Sequence, residues 1–242
     1  MIKSINTRSR NGEVADVLDS IINAYNGSSL ATDPYLVAIF SELQPQSPLL
    51  IAAIECSRAE SQLEEADMLR DDKIRALCLG VQSAVYNDDT AVKAAAQKVN
   101  TILDKYGLAI IDESYASEST LIKSMLNDLA AADLADAIAA VPGCAVNIAQ
   151  LRTAQEAFTA TSDDFAAAKS TDKQMKTATQ LKKEIITSIN QLLVRYLNGM
   201  QAVNNAQYGA LANILAQLIA DNNSRVSRRS STTTTGEPAT SE

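Results

Sequence analysis

Apolar side chains recur every three to four residues along almost the whole chain. That spacing lines one face of an α-helix, whereas a half-buried β-strand alternates with a period of two. In the clearest run, Val92, Ala95, Val99, Ile102 and Tyr106 follow Asp88 and Asp89, and Gly107 stands where a helix C-terminus takes glycine. Only 4% of the residues are aromatic, so the core has to be built from aliphatic side chains and Ala, which suits closely packed helices. Val99, at the centre of that run, is expected to be fully buried.

The same reading extends to both sides. Val14, Val17, Leu18, Ile21, Ile22 and Tyr25 form a first stripe that Asn26-Gly27 stops. Pro34 suits the first turn of a second helix, which Pro45 and Pro48 interrupt before residues 49–56 resume it. Leu63, Ala66, Ile74, Leu77, Val81 and Ala84 mark a third. Later stripes include Leu121, Ile122, Met125 and Leu129, then a short one that Pro142-Gly143 ends, then Ile148, Leu151, Ala154, Phe158 and Phe165. Met175, Ala178, Ile185, Ile189, Leu192 and Tyr196 follow, with Asn198-Gly199 as the break before Met200, Val203, Leu211, Ile214 and Leu218. The pattern predicts an all-α helical bundle of two pseudo-repeated four-helix units, residues 1–107 and 118–223, joined by an extended linker at 108–117. From Ser224 the chain reads SRVSRRSSTTTTGEPATSE, with no apolar period, and is expected to be a disordered tail whose removal leaves stability unchanged.

Charge and cysteine usage narrow the setting. A net charge of −8 works against nonspecific binding to nucleic acid or anionic membrane. The opening MIKSINTRSRNGEVAD lacks the apolar centre of a secretory signal, and the best apolar stretch, residues 129–141, is short and carries Asp133 and Asp136. A cytoplasmic protein outside the membrane is expected. Cys56, Cys78 and Cys144 are odd in number, widely separated and set among apolar neighbours, so they read as buried, reduced side chains.

The chain has no His, the usual acid–base group near neutral pH and the commonest metal ligand. GxSxG, P-loop, GxGxxG and HExxH motifs are all missing. The acidic run Glu55, Glu60, Glu64, Glu65, Asp67, Asp71 and Asp72 is the one place where helix carboxylates could hold a metal pair. Arg58, Arg70, Lys73 and Arg75 interleave with it, which reads as a solvated face of ion pairs, and no metal or other cofactor is expected. The basic run Lys169, Lys173, Lys176, Lys182 and Lys183 lacks stacking aromatics and reads as a solvated helix face too. Arg70 is different. It falls on the apolar face between Ala66 and Ile74, which predicts a buried structural ion-pair cluster of Asp67, Arg70 and Asp71, or a partner carboxylate across the bundle.

The run EEADMLRDDKIRALCLGVQSAV, then DDTAVKAAAQKVNTILDKYG and YASESTLIKSMLNDL, resembles an all-helical bacterial family catalogued as domain of unknown function 6261 and known mainly from gut Bacteroidales. The resemblance rests on an Asp-x-x-Arg-Asp helix (Asp67, Arg70, Asp71), an Ala-rich helix ending in Tyr106-Gly107, and a Tyr-x-x-Glu-Ser segment (Tyr115, Glu118, Ser119). It would span residues 2–222. It implies a soluble, two-part helical protein and carries no catalytic residue.

The expected function is a non-catalytic structural or protein-interaction module, acting on a protein partner or on itself, with no nucleic acid and no membrane. An accessory bundle that binds an apolar ligand or a partner helix between its halves stands second, and an enzyme working with carboxylates and Tyr alone stands third. Exposed apolar surface would favour the first, a cavity the second, and a carboxylate cluster with raised pKa values the third.

Overall fold

In a computed structural model, described over residues 1–170 and 176–234, the chain is all-α, and no strand occurs among the described residues. The ten α-helices are α1 (Asn11–Asn26), α2 (Pro34–Leu43), α3 (Gln46–Ala84), α4 (Thr90–Leu103), α5 (Tyr115–Leu129), α6 (Ala135–Ala140), α7 (Cys144–Ser170), α8 (Ala178–Ser188), α9 (Val194–Val203) and α10 (Asn205–Thr234). Local chemistry sets several ends. Asp33 caps α2 through the N–H groups of Tyr35 (2.9 Å) and Leu36 (3.0 Å), and Pro34 follows at the first helical position. Gly107 closes the turn after α4 at φ 68°, a conformation that a β-carbon disfavours.

The chain forms two compact units, and their division differs from the expected one. One unit contains Met1–Ser57 and Thr171–Glu242; the other is Arg58–Ser170, inserted within it. The observed division differs from the expected split into residues 1–107 and 118–223 because α1 packs on α8 and α10 and α2 on α8, whereas α4 packs on α5 and α6. Pro45 lies in the turn before α3 and Pro48 in its first turn, where a missing N–H costs nothing, so one helix of 39 residues runs from Gln46 to Ala84. The expected linker at 108–117 is not extended either. Residues Leu108–Asp112 form a 3-10 turn that buries Ile110, and α5 starts at Tyr115.

The first unit packs α1, α2, the opening turns of α3, and α8 to α10 around Leu18, Ile21, Leu36, Phe40, Ile185, Leu197 and Leu215. Tyr25 stacks on Phe40 with ring centroids 3.8 Å apart. The helix break expected at Asn198-Gly199 is absent. Instead α8 passes through a π-helical turn at Ile189–Leu193 into α9, which ends at Val203. The expected tail also begins later: α10 continues through Ser224 with Val226 buried, Arg225 paired to Asp16 (3.3 Å) and Arg229 paired to Glu13. Val226 sits on the stripe of Leu215, Ile219 and Asn222, so deleting residues 224–242 would open the core. Residues 235–242 of that tail lie outside the described residues, as do Lys173 and Met175.

The second unit packs the rest of α3 with α4 to α7 around Ile74, Leu77, Val99, Leu103, Ile122, Met125 and Leu151. Cys144 is buried while Cys56 and Cys78 are half-buried, and all three are free thiols. Among the described residues, one window of 18 in the stretch Pro34–Ala84 is apolar enough to cross a membrane by composition, a third of it buried, and Ala132–Ala140 meets the same criterion only together with Cys144–Ser170, from which it is bent by 115°.

Candidate functional site

Arg70 is the largest fully buried side chain among the described residues. Three helices of the second unit surround its guanidinium with acceptors. From α3, one turn back, Asp67 Oδ1 accepts from Nη2 at 2.6 Å. From the first turn of α5, Glu118 Oε2 accepts from the same nitrogen and Ser119 Oγ accepts from Nη1 at 2.8 Å. From α7, Gln155 Oε1 accepts from Nη1 at 3.4 Å, and the Phe158 ring lies under the guanidinium, 3.7 Å from its carbon to the ring centroid. Tyr115 packs edge-on against that ring at 5.3 Å. Charge, hydrogen bonds and a π-face together repay the desolvation that makes an isolated buried cation untenable.

The expected cluster is corrected in one member. Asp67 and Arg70 are joined, and the carboxylate foreseen across the bundle is Glu118, but Asp71 turns one oxygen to Arg75 at 3.2 Å and does not bond Arg70. Its other oxygen, Oδ1, and Glu118 Oε1 are both buried with no donor of their own. A proton held by Glu118 and donated to Asp71 satisfies both. Burial pushes the Glu118 carboxyl up to about 7, against the pull of Arg70 and with the charges of Asp67 and Asp71 adding to the rise. Burial and the Asp67 charge raise Asp71 as well.

The sign of the pH dependence follows. Between the ordinary Glu value near 4.5 and about 7, the folded chain holds a proton that the unfolded chain has released. This contribution to stability is full below the lower value and is lost as pH rises through the upper one. The melting temperature is expected to fall from pH 5 to pH 8, and Glu118→Gln, which keeps a donor for Asp71 and an acceptor for Arg70, should flatten that slope. Melts of both proteins at the two pH values check this, and an equal slope in the variant would assign the effect elsewhere.

Oxygens of Asp67, Asp71 and Glu118 lie within 4.8 Å of one another, a spacing that a metal ion could use. The cation that this arrangement accommodates is Arg70 itself, which already takes Asp67 Oδ1 and Glu118 Oε2. A divalent ion would sit against a buried positive charge. Added zinc, manganese or magnesium is therefore expected to leave the melting temperature unchanged, and a rise of several degrees in calorimetry would show that the guanidinium can be displaced.

The residues meeting here are those of two separate sequence motifs, Asp-x-x-Arg-Asp on α3 and Tyr-x-x-Glu-Ser on α5. A match to the Family of unknown function (DUF6261) extends over residues 60–219, well over half of the chain. The chain belongs to that family. The DUF6261 span includes Arg70 and every group that surrounds it, and excludes residues 1–59. No curated protein and no solved structure matches the chain. Gln155 and Phe158 were not legible as part of this site, because both lie on the α7 stripe as ordinary helix positions.

A second polar centre lies inside the first unit. The Asp33 carboxylate, besides capping α2, accepts from the hydroxyls of Tyr196 (2.7 Å) and Tyr208 (2.6 Å). Burial works against its charge, but these hydroxyls and the N–H groups of Leu36 and Tyr35 outweigh it and hold Asp33 below the ordinary carboxylate range. Its bonds are all accounted for within the fold, which reads as a structural tie between α2, α9 and α10. The basic run is likewise engaged locally: Lys176 pairs with Glu184 at 2.7 Å and Lys182 donates to the Ser9 carbonyl at 3.1 Å.

Proposed function

We propose that the protein is a non-catalytic helical module that binds another protein through the outer face of α2 and the start of α3. The observation behind this reading is that Tyr35, Val37, Leu49 and Ile51, on consecutive helices, are 56%, 45%, 41% and 39% exposed although the inner faces of the same helices are fully buried. Tyr35 with Val37, and Leu49 with Ile51, are two positions apart and lie on the two flanks of the buried stripe of each helix, so the apolar surface offered to a partner runs along both edges of these successive elements. Wild type and a Val37→Glu/Ile51→Glu variant, both checked for helicity, would be immobilised and exposed to lysate of the native host. A protein retained by wild type and lost by the variant is the expected result; identical retained sets would count against the reading.

One feature favours an acid–base reading instead: burial pushes the Glu118 carboxyl up to about 7 beside Asp71, the pairing that proton transfer uses. Against it, Glu118 is 1% exposed and its Oε2 is taken by Arg70. Glu118→Gln is thus expected to retain the same partner as wild type.

A further inference from the structure

Residues 1–6 form no helix and lie along the π-helical turn, α9 and α10, held by three asparagine side chains that grip backbone rather than side chains. Asn198 takes both groups of Ile2: the Ile2 N–H donates to Oδ1 at 2.7 Å and Nδ2 donates to the Ile2 carbonyl at 3.0 Å. Asn190 takes both groups of Ile5 in the same way, at 2.8 and 3.1 Å. From the other side Asn223 accepts from the Asn6 N–H at 2.9 Å and donates to the Ser4 carbonyl at 2.8 Å. Each carboxamide thereby imitates one rung of a β-ladder. Ile2 and Ile5 sink into the first unit's core.

The π-helical turn is what makes the grip possible. Asn190 and Asn198 are eight positions apart, which in an unbroken α-helix would rotate them about 80° from each other. A π turn absorbs one residue and returns both to nearly the same face. Their rise along the axis, about 11 Å, then matches the roughly 10 Å spanned by three extended residues. The helices bind the segment through side chains, and their own backbone hydrogen bonds do not depend on it. An open cleft of about 560 Å³, lined by Lys3, Ala220, Asn223, Ser224, Ser227 and Arg228, runs beside it. The segment is joined to α1 through a tight turn, closed by the Ser9 N–H on the Asn6 carbonyl at 3.0 Å.

We propose that this groove is an extended-peptide receptor whose occupant in trans is residues 2–6 of a second copy of this chain, exchanged by opening the turn at 6–9. The second copy is favoured because its segment carries the backbone register and the two Ile side chains already shown to fit. The chain's own segment competes from an effective concentration in the millimolar range, so exchange is read most cleanly when that competition is removed. The surface is separate from the outer face of α2 and α3, and the two ideas can fail independently.

The test uses two full-length variants. Ile2→Asp/Ile5→Asp has an intact groove and a segment that cannot enter it. Asn190→Leu/Asn198→Leu/Asn223→Leu has an intact segment and none of the three carboxamides that hold it. Each alone is expected to be monomeric by light scattering, at 25.8 kDa, whereas an equimolar mixture should give a one-to-one complex of twice that mass. Ile2→Ala/Ile5→Ala replaces the first variant if circular dichroism shows that it is not helical. A synthetic peptide of residues 1–10 is the second probe, expected to bind the first variant saturably and the second not at all. Peptide binding without a mixed complex would overturn the second copy as occupant. Binding by neither, with both variants helical, would overturn the receptor itself, and a dimer formed by either variant alone would assign self-association to another surface.

Discussion

Arg70→Met is expected to destabilise the protein by about 3–5 kcal/mol, measured by denaturant unfolding, because it leaves Glu118 and Asp67 facing a buried site with no cation. The loss reflects the stranded charges more than the absent bonds. A double variant, Arg70→Met/Glu118→Leu, removes the buried carboxyl along with its partner and should recover most of the stability. Asp67 is 23% exposed and keeps its contact with water, so a cost under about 1 kcal/mol would mean that Glu118 is left neutral or reaches water as well.

Val99→Asp should be comparably damaging. Val99 is fully buried on α4 between Ala96 and Leu103, in the core that also holds Ile122 and Met125. An aspartate there has no basic partner, so either a carboxylate is desolvated or a proton is taken up, at a cost of several kcal/mol out of a total of roughly 5–15. Thermal unfolding checks it. A variant that melts within a few degrees of wild type would mean that α4 can turn its face outward.

The helical period was legible wherever a stripe was long and ended in a glycine or a cap, as at Tyr25-Asn26-Gly27 and Tyr106-Gly107. Val99 is fully buried as expected, but its buried neighbours are Ala96 and Leu103, while Val92, Ala95 and Ile102 are half-buried beside them. Breakers were over-read. Pro48 falls in a first turn and Gly199 lies on α9 with open space around its α-carbon, so neither stops a helix. The buried position of Arg70 was legible because it interrupts an apolar face, and so was one of its partners. The partners on α5 and α7 were not, since pairing across 48 and 85 residues leaves no local pattern. Asn190, Asn198 and Asn223 were invisible for a related reason. A polar residue on a helix looks like a solvated face until the segment that it holds, nearly two hundred positions away, is placed against it.

The insertion of one unit inside the other bears on the order of synthesis. Arg58–Ser170 is contiguous, so all its helices leave the ribosome together and can close their core at once. Residues 1–57 emerge first yet have to wait for α8 to α10, with Leu18, Ile21, Leu36 and Phe40 lacking the helices that cover them. At typical elongation speeds the delay is on the order of ten seconds, long compared with helix formation and collapse. The nascent chain thus presents an amphipathic segment with its apolar face uncovered throughout the folding of its own middle, an interval in which aggregation competes with folding.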